Sequence, residues 1–110
     1  MIRALEDKVF YEEYPTTGET VCDALVGGVG KLAYEMLGDY LDDIIQVKES
    51  SIRDAIKHMI LHEKYVVEGA CATTVAAVRD DPERVGGKNI ALVMSGGNID
   101  AEIIMDILKE

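Results

Sequence analysis

Basic residues are scarce in this chain: 11 lysines and arginines stand against 21 aspartates and glutamates, a formal net charge of −10. Sequence-independent binding to nucleic acid needs a basic face, so that class is excluded. An anionic membrane surface is disfavoured on the same ground. Cysteine is nearly absent too. Cys22 and Cys71 lie far apart, with no metal-ligand spacing. Their apolar or small neighbours predict buried free thiols in a reducing compartment. No apolar run approaches the length needed to cross a bilayer. Met1 to Phe10 carries Arg3, Glu6, Asp7 and Lys8, so it does not read as a signal peptide, and a cytoplasmic location is expected. No internal repeat or low-complexity segment occurs.

What is present suits one small domain or a piece of a larger fold: 110 residues, 48% of them hydrophobic. Met1 to Leu5 reads as the tail of a helix with no capping residue. Val9 to Thr20, with Pro15 and Gly18, reads as a connector holding a short strand at Val9 to Tyr11. A glycine cluster, Gly27-Gly28-Val29-Gly30, leads into a helix over Lys31 to Tyr40 with Leu32, Met36, Leu37 and Tyr40 near one side. Asp42 and Asp43 end it, and Ile44 to Val47 is a short apolar strand. Ser50-Ser51 caps a helix in which Ile52, Ala55, Ile56, Met59 and Ile60 recur at helical spacing. The pattern breaks at Tyr65 to Gly69, and Ala70 to Val78 resumes as a small-residue helix. Gly86-Gly87 precedes a second strand, Ile90 to Met94, and a last helix over Ile99 to Lys109 buries Ile103, Ile104, Ile107 and Leu108. Strands alternating with helices predict an α/β fold with a parallel sheet. Two or three strands make a poor sheet alone, so a partial domain or a chain needing a partner is expected.

The chemistry concentrates at Ser95-Gly96-Gly97-Asn98. As a strand–turn–helix corner it places Ser95 at the carboxyl end of a strand, where open α/β sheets bind ligands. Asn98 is expected to cap the last helix. Glycines at a helix start suit a phosphate, although an ordinary tight turn has the same pattern. No Gly-Lys-Ser/Thr follows, and the spacing is not that of a dinucleotide fingerprint. Glu68, between Val67 and Gly69 in apolar surroundings, either is satisfied by nearby backbone N–H groups or faces a pocket. His58 and His62 stand four apart like a metal pair, but no third ligand accompanies them and a solvated helix face is the better reading. Asp42-Asp43 reads as a helix end rather than a divalent-ion site. No Ser-His-Asp set stands out. No metal site is expected.

Four stretches in order, taken together, carry a resemblance. They are Asp23-Ala24-Leu25 with Gly27-Gly28-Val29-Gly30; Tyr40-Leu41-Asp42-Asp43-Ile44-Ile45; Val66-Val67-Glu68-Gly69-Ala70; and Val93-Met94-Ser95-Gly96-Gly97-Asn98-Ile99-Asp100. Nearly the whole chain resembles the carboxyl-terminal third of the catalytic domain of the threonine/serine dehydratase and serine racemase family. Departures are Ala24 where glycine is common, Gly69 where proline is common, and Cys71 in place of a small residue. The resemblance implies a partial three-layer parallel sheet flanked by helices, a fragment of the large domain of the pyridoxal-phosphate fold type II. The partial domain would be 1–110, with 1–19 a helix end and connector and 20–110 the α/β part. It implies that Ser95 hydrogen-bonds the pyridine nitrogen of pyridoxal phosphate, that Gly30 and Gly96 lie beside the cofactor, and that Glu68 lies near its ring.

The resemblance also implies what is missing. The family's cofactor-bearing lysine, its phosphate loop and its substrate-carboxylate loop belong to upstream sequence, and none of the seven lysines here sits in a comparable motif. No catalytic residue is therefore assigned in this chain. The expectation is the carboxyl-terminal part of a hydroxy-amino-acid ammonia-lyase, inactive alone, whose partner is the missing amino-terminal catalytic portion or a further copy of itself. The alternative is a non-catalytic binding or interaction module built from the same fold. A phosphate- or nucleotide-binding domain using Ser95 to Asn98 is a third reading.

Overall fold

The computed structural model describes residues 1–85, 87 and 89–110. Six α-helices run in order among these residues: α1 Ile2–Asp7, α2 Lys31–Tyr40, α3 Glu49–His58, α4 Gly69–Asp80, α5 Pro82–Val85 and α6 Ala101–Lys109. A 3₁₀ turn covers Asp23–Leu25, and α3 continues into a π-helical turn, Met59–Glu63. That turn ends where Lys64 adopts a left-handed backbone, φ 59°, which breaks the helical run before Tyr65.

The chain divides into two compact units. The first holds Met1–Gly18 and Val26–Ile45. Its links are modest: Val29 N–H donates to Tyr11 O at 3.1 Å, and the Phe10 and Tyr34 rings lie 5.9 Å apart. The apolar side expected of α2 is not a buried face within this unit, since Leu32 is 68% and Tyr40 74% exposed. The glycine cluster before α2 has a packing reason: a Cβ at Gly28 would stand 1.6 Å from the Glu12 carbonyl oxygen.

The second unit holds Glu19–Leu25 and Gln46–Glu110. Here the helical periodicity of α3 is realised, with Ile52, Ala55 and Ile56 buried. They pack with Cys71, Ala72, Val75 and Ala76 of α4 and with Ile107 of α6. The small residues of α4 let the helices approach closely, and its two central threonines satisfy themselves. Thr73 donates to Ala70 O at 2.7 Å and Thr74 to Cys71 O at 2.9 Å. Cys22 and Cys71 are both buried free thiols, as the composition predicted. Burial pushes the Cys22 thiol above its ordinary value, because a thiolate there would lose its water.

Several expectations need correction. The predicted parallel sheet is not seen: no strand occurs among the described residues, and Val9–Tyr11, 44–47 and 90–94 carry no ladder. An apolar run favours an extended backbone, but a strand exists only when a neighbouring backbone pairs with it. Segment 90–94 has no such neighbour among the described residues, and Ile90, Leu92 and Val93 remain exposed. One backbone bond, Glu68 N–H to Gly96 O at 3.1 Å, joins the two extended segments 65–68 and 95–98. Helix starts also differ. The residue before α3 is Lys48, with no side-chain cap, rather than a serine, and the residue before α6 is Asp100 rather than Asn98. Of the glycine pair before 90–94, Gly86 lies outside the described residues.

Arg53 of α3 and Glu110 after α6 form a forked ion pair, Nε to Oε1 at 2.9 Å and Nη2 to Oε1 at 2.5 Å. The hydrogen bonds from Arg53 hold the Glu110 carboxyl below the usual carboxylate range. A carboxyl lowered in the folded state stabilises it above the unfolded pKa, and the gain disappears as pH falls through the folded value. Denaturation at a series of pH values should therefore show Glu110→Gln slightly less stable than the native chain near neutrality. The two should converge in acid. The effect is small because the pair is solvent-exposed. A gap that widened on acidification would contradict the pairing.

Candidate functional site

The Ser95 corner is built by α4 and α6 with the extended segments that precede them. Met94 turns inward against the core, its Sδ 3.7 Å from Cys71 Sγ. Ser95, next in line, points outward and is exposed. Its hydroxyl has no hydrogen-bond partner among the described residues. The anchored methionine and the free serine thus define which way the corner faces.

Glu68 is the residue immediately before α4, with an extended backbone, φ −78° and ψ 165°. Its side chain makes no capping bond to its own helix. Instead Oε2 accepts the Asn98 N–H at 3.1 Å. The same carboxylate lies over Gly96, where a Cβ would stand 2.8 Å from Oε2 and 2.9 Å from Oε1. Gly96 is therefore glycine to admit the Glu68 side chain, a close approach that a methyl would prevent. The Asn98 N–H is thus one backbone donor on the Glu68 carboxylate.

The structure brings Glu68, Ser95 and Gly96 together within the second unit. Gly30 belongs to the first unit, where it stands before α2 with an ordinary extended backbone, φ −65° and ψ 132°. A Cβ at Gly30 would meet only Ala33 Cβ, at 3.9 Å, so packing within its unit does not demand glycine there. The Asn98 backbone is the contributor that sequence reasoning missed. Its side chain suggests a cap, whereas its N–H is what meets Glu68. The spacing that would have exposed this is long-range, 30 residues, and leaves no periodic signal.

The other candidates stay outside any site. His58 and His62 stack with ring centroids 4.8 Å apart, and His58 Nε2 lies 3.7 Å from Glu63 Oε1. Asp43 Oδ1 accepts the following Ile44 N–H at 2.8 Å, a local turn contact. Among the described residues no group of three or more His, Cys, Asp or Glu could hold a metal ion. None of their helices is long and apolar enough to cross a membrane.

An exposed hydroxyl on a pinned turn suits a hydrogen bond to a ring nitrogen, since it can donate or accept. Pyridoxal phosphate carries such a nitrogen, and a hydroxyl is of a donor type that suits it. Comparison with known proteins bears on the same group. The chain is 42% identical to an L-threonine ammonia-lyase of Thermotoga maritima over 81 residues, 74% of this chain and 20% of that protein. It is 30% identical to a serine racemase of Dictyostelium discoideum over 109 residues, 97% of this chain and 34% of that protein. A serine racemase of Arabidopsis thaliana is 34% identical over 95 residues, 82% of this chain and 29% of that protein. The chain thus spans between a fifth and about a third of the length of these relatives. Residues 3–96 match the model of the pyridoxal-phosphate dependent enzymes, and the chain belongs to that family.

Proposed function

We propose that this chain is the carboxyl-terminal part of a pyridoxal-phosphate-dependent ammonia-lyase acting on serine or threonine, inactive without the rest of the enzyme. Its role is to supply the wall that faces the cofactor's pyridine nitrogen. The observation that carries the reading is Ser95, an exposed hydroxyl free of other partners, set outward by the inward anchoring of Met94. Pyridoxal phosphate, when bound, would supply the electron sink for eliminating water from a hydroxy amino acid; water adding back to the released imine gives ammonia and a 2-oxo acid. A hydroxyl at the ring nitrogen, unlike a carboxylate, does not hold that nitrogen protonated. Ser95 thereby orients the ring while leaving it a moderate sink, which favours elimination over transamination. Gly96 keeps a side chain away from the cofactor's flank. The lysine that bears the cofactor is not among the seven here and belongs to another part of the enzyme.

The test is complementation. Purified chain with pyridoxal phosphate and threonine or serine is expected to form no 2-oxo acid above a cofactor-only blank. Co-expression with the amino-terminal portion of the Thermotoga maritima enzyme, its own matching segment removed, should restore turnover. Ser95→Ala in that complex should lower turnover at least about tenfold, the loss of one charge-sensitive contact in a water-excluded site. Turnover by the chain alone would overturn the assignment. Failure to complement would favour the non-catalytic module.

A further inference from the structure

We propose that Glu68 is a positioning residue for Ser95: its carboxylate holds the Ser95–Asn98 turn and has no need to touch a ligand. The main chain and side chain of this one residue grip both ends of the turn. Glu68 N–H donates to Gly96 O at 3.1 Å, on the side next to Ser95. Asn98 N–H donates to Glu68 Oε2 at 3.1 Å, on the side next to α6. Between these bonds the carboxylate rests on Gly96, closer than any side chain there would permit. The alternative use of the side chain is forgone. A carboxylate immediately before a helix ordinarily accepts from that helix's own first N–H groups, and Glu68 makes no such bond.

Asn98, its N–H bonded to Glu68, lies two residues before Asp100, the N-cap of α6. Ile99 N–H turns back to Gly97 O at 3.1 Å, and the helical bonds start with Ile104 N–H to Asp100 O. The clamp needs an acceptor oxygen and not a charge. That separates it from an electrostatic role toward a cofactor ring, which a neutral side chain would not fulfil. The consequence for Ser95 rests on the function proposed above; the clamp itself does not.

The experiment is amide hydrogen exchange on the chain as it stands, residue by residue. Glu68→Ala should speed exchange at Asn98 about tenfold, as expected for a lost hydrogen bond. Core amides such as Ile56 should keep their rates. Glu68→Gln, which keeps an acceptor oxygen at the same reach, should stay within about twofold of the native rate. If Glu68→Ala fails to fold, Gly96→Ala gives the same readout, because its methyl displaces only the flexible end of Glu68. Asn98 protection unchanged in Glu68→Ala, or lost equally in Glu68→Gln, overturns the proposal. In the complemented enzyme, Glu68→Gln should retain turnover and Glu68→Ala lose it. A Glu68-dependent Asn98 with turnover indifferent to Ser95→Ala would sink the cofactor reading and leave the clamp in place.

Discussion

Gly69→Ala should destabilise the second unit by about 3 kcal/mol or more, read as a lowered urea midpoint. A methyl at this position would stand 1.9 Å from the Val21 carbonyl oxygen, 2.4 Å from its carbon and 2.9 Å from Cys22 N. These are backbone atoms, so no side-chain rotation relieves the overlap. Nor is the 20–22 segment free to retreat. Glu49 at the start of α3 accepts Val21 N–H at 2.7 Å and the Thr20 hydroxyl at 2.8 Å, and the Cys22 side chain is buried in the core. The first turn of α4 is held in turn by buried Val67 and Cys71. Overpacking costs about 1–3 kcal/mol where side chains yield, and the upper end or beyond is expected where they do not. Gly38→Ala is the matched comparison. It sits inside α2 with nothing within 4 Å of its would-be Cβ, so alanine should stabilise that helix by about 0.5–1 kcal/mol. A Gly69→Ala chain as stable as the native one would mean that segment 20–22 does not lie against α4.

Where a side chain's own neighbours in sequence decide its environment, the residues were legible. Ile52, Ala55 and Ile56 repeat at helical spacing and are buried as that spacing demands. The small residues from Ala70 to Val78 form the closely packed α4. The break is real over 65–68, with α4 already begun at Gly69, and the left-handed Lys64 opens it. Where the outcome depends on a distant partner, the sequence was silent or misleading. The runs at 44–47 and 90–94 have strand composition, yet a ladder needs a second backbone, which composition does not supply. The serines at 50 and 51 look like caps, but Glu49 lies in the helix and grips Thr20 and Val21, so the cap position, Lys48, lies two residues before Ser50. Asn98 has the right side chain for a cap, and its main chain is taken by Glu68 instead. For the candidate site, the resemblance grouped Ser95, Gly96, Gly30 and Glu68, and the fold brings Glu68 against Gly96. The direction of the hydrogen bonds among them required the fold.

Ile107→Ala should cost about 2–5 kcal/mol, the largest loss expected from any side-chain truncation in α6. Ile107 is fully buried, whereas Met105 on the same helix is 52% exposed and Leu108 is 36% exposed. The predicted stripe of Ile103, Ile104, Ile107 and Leu108 therefore narrows to one deep anchor flanked by half-buried isoleucines. Ile107 belongs to the buried cluster of Ile52, Ala55 and Ile56 on α3 and the small residues of α4, so an alanine leaves a cavity in that core. Ile107→Val should cost only about 0.5–1.5 kcal/mol, since one methyl group is lost. Met105→Ala should stay within about 0.5 kcal/mol. The series has a consequence beyond stability. Helix α6 begins three residues after Asn98, so loosening its anchor also loosens the turn that Glu68 grips. Amide exchange at Asn98 should quicken in Ile107→Ala and not in Met105→Ala. Equal losses from Ile107→Ala and Met105→Ala would show that α6 is not docked through Ile107. The Ser95 turn would then depend on Glu68 alone.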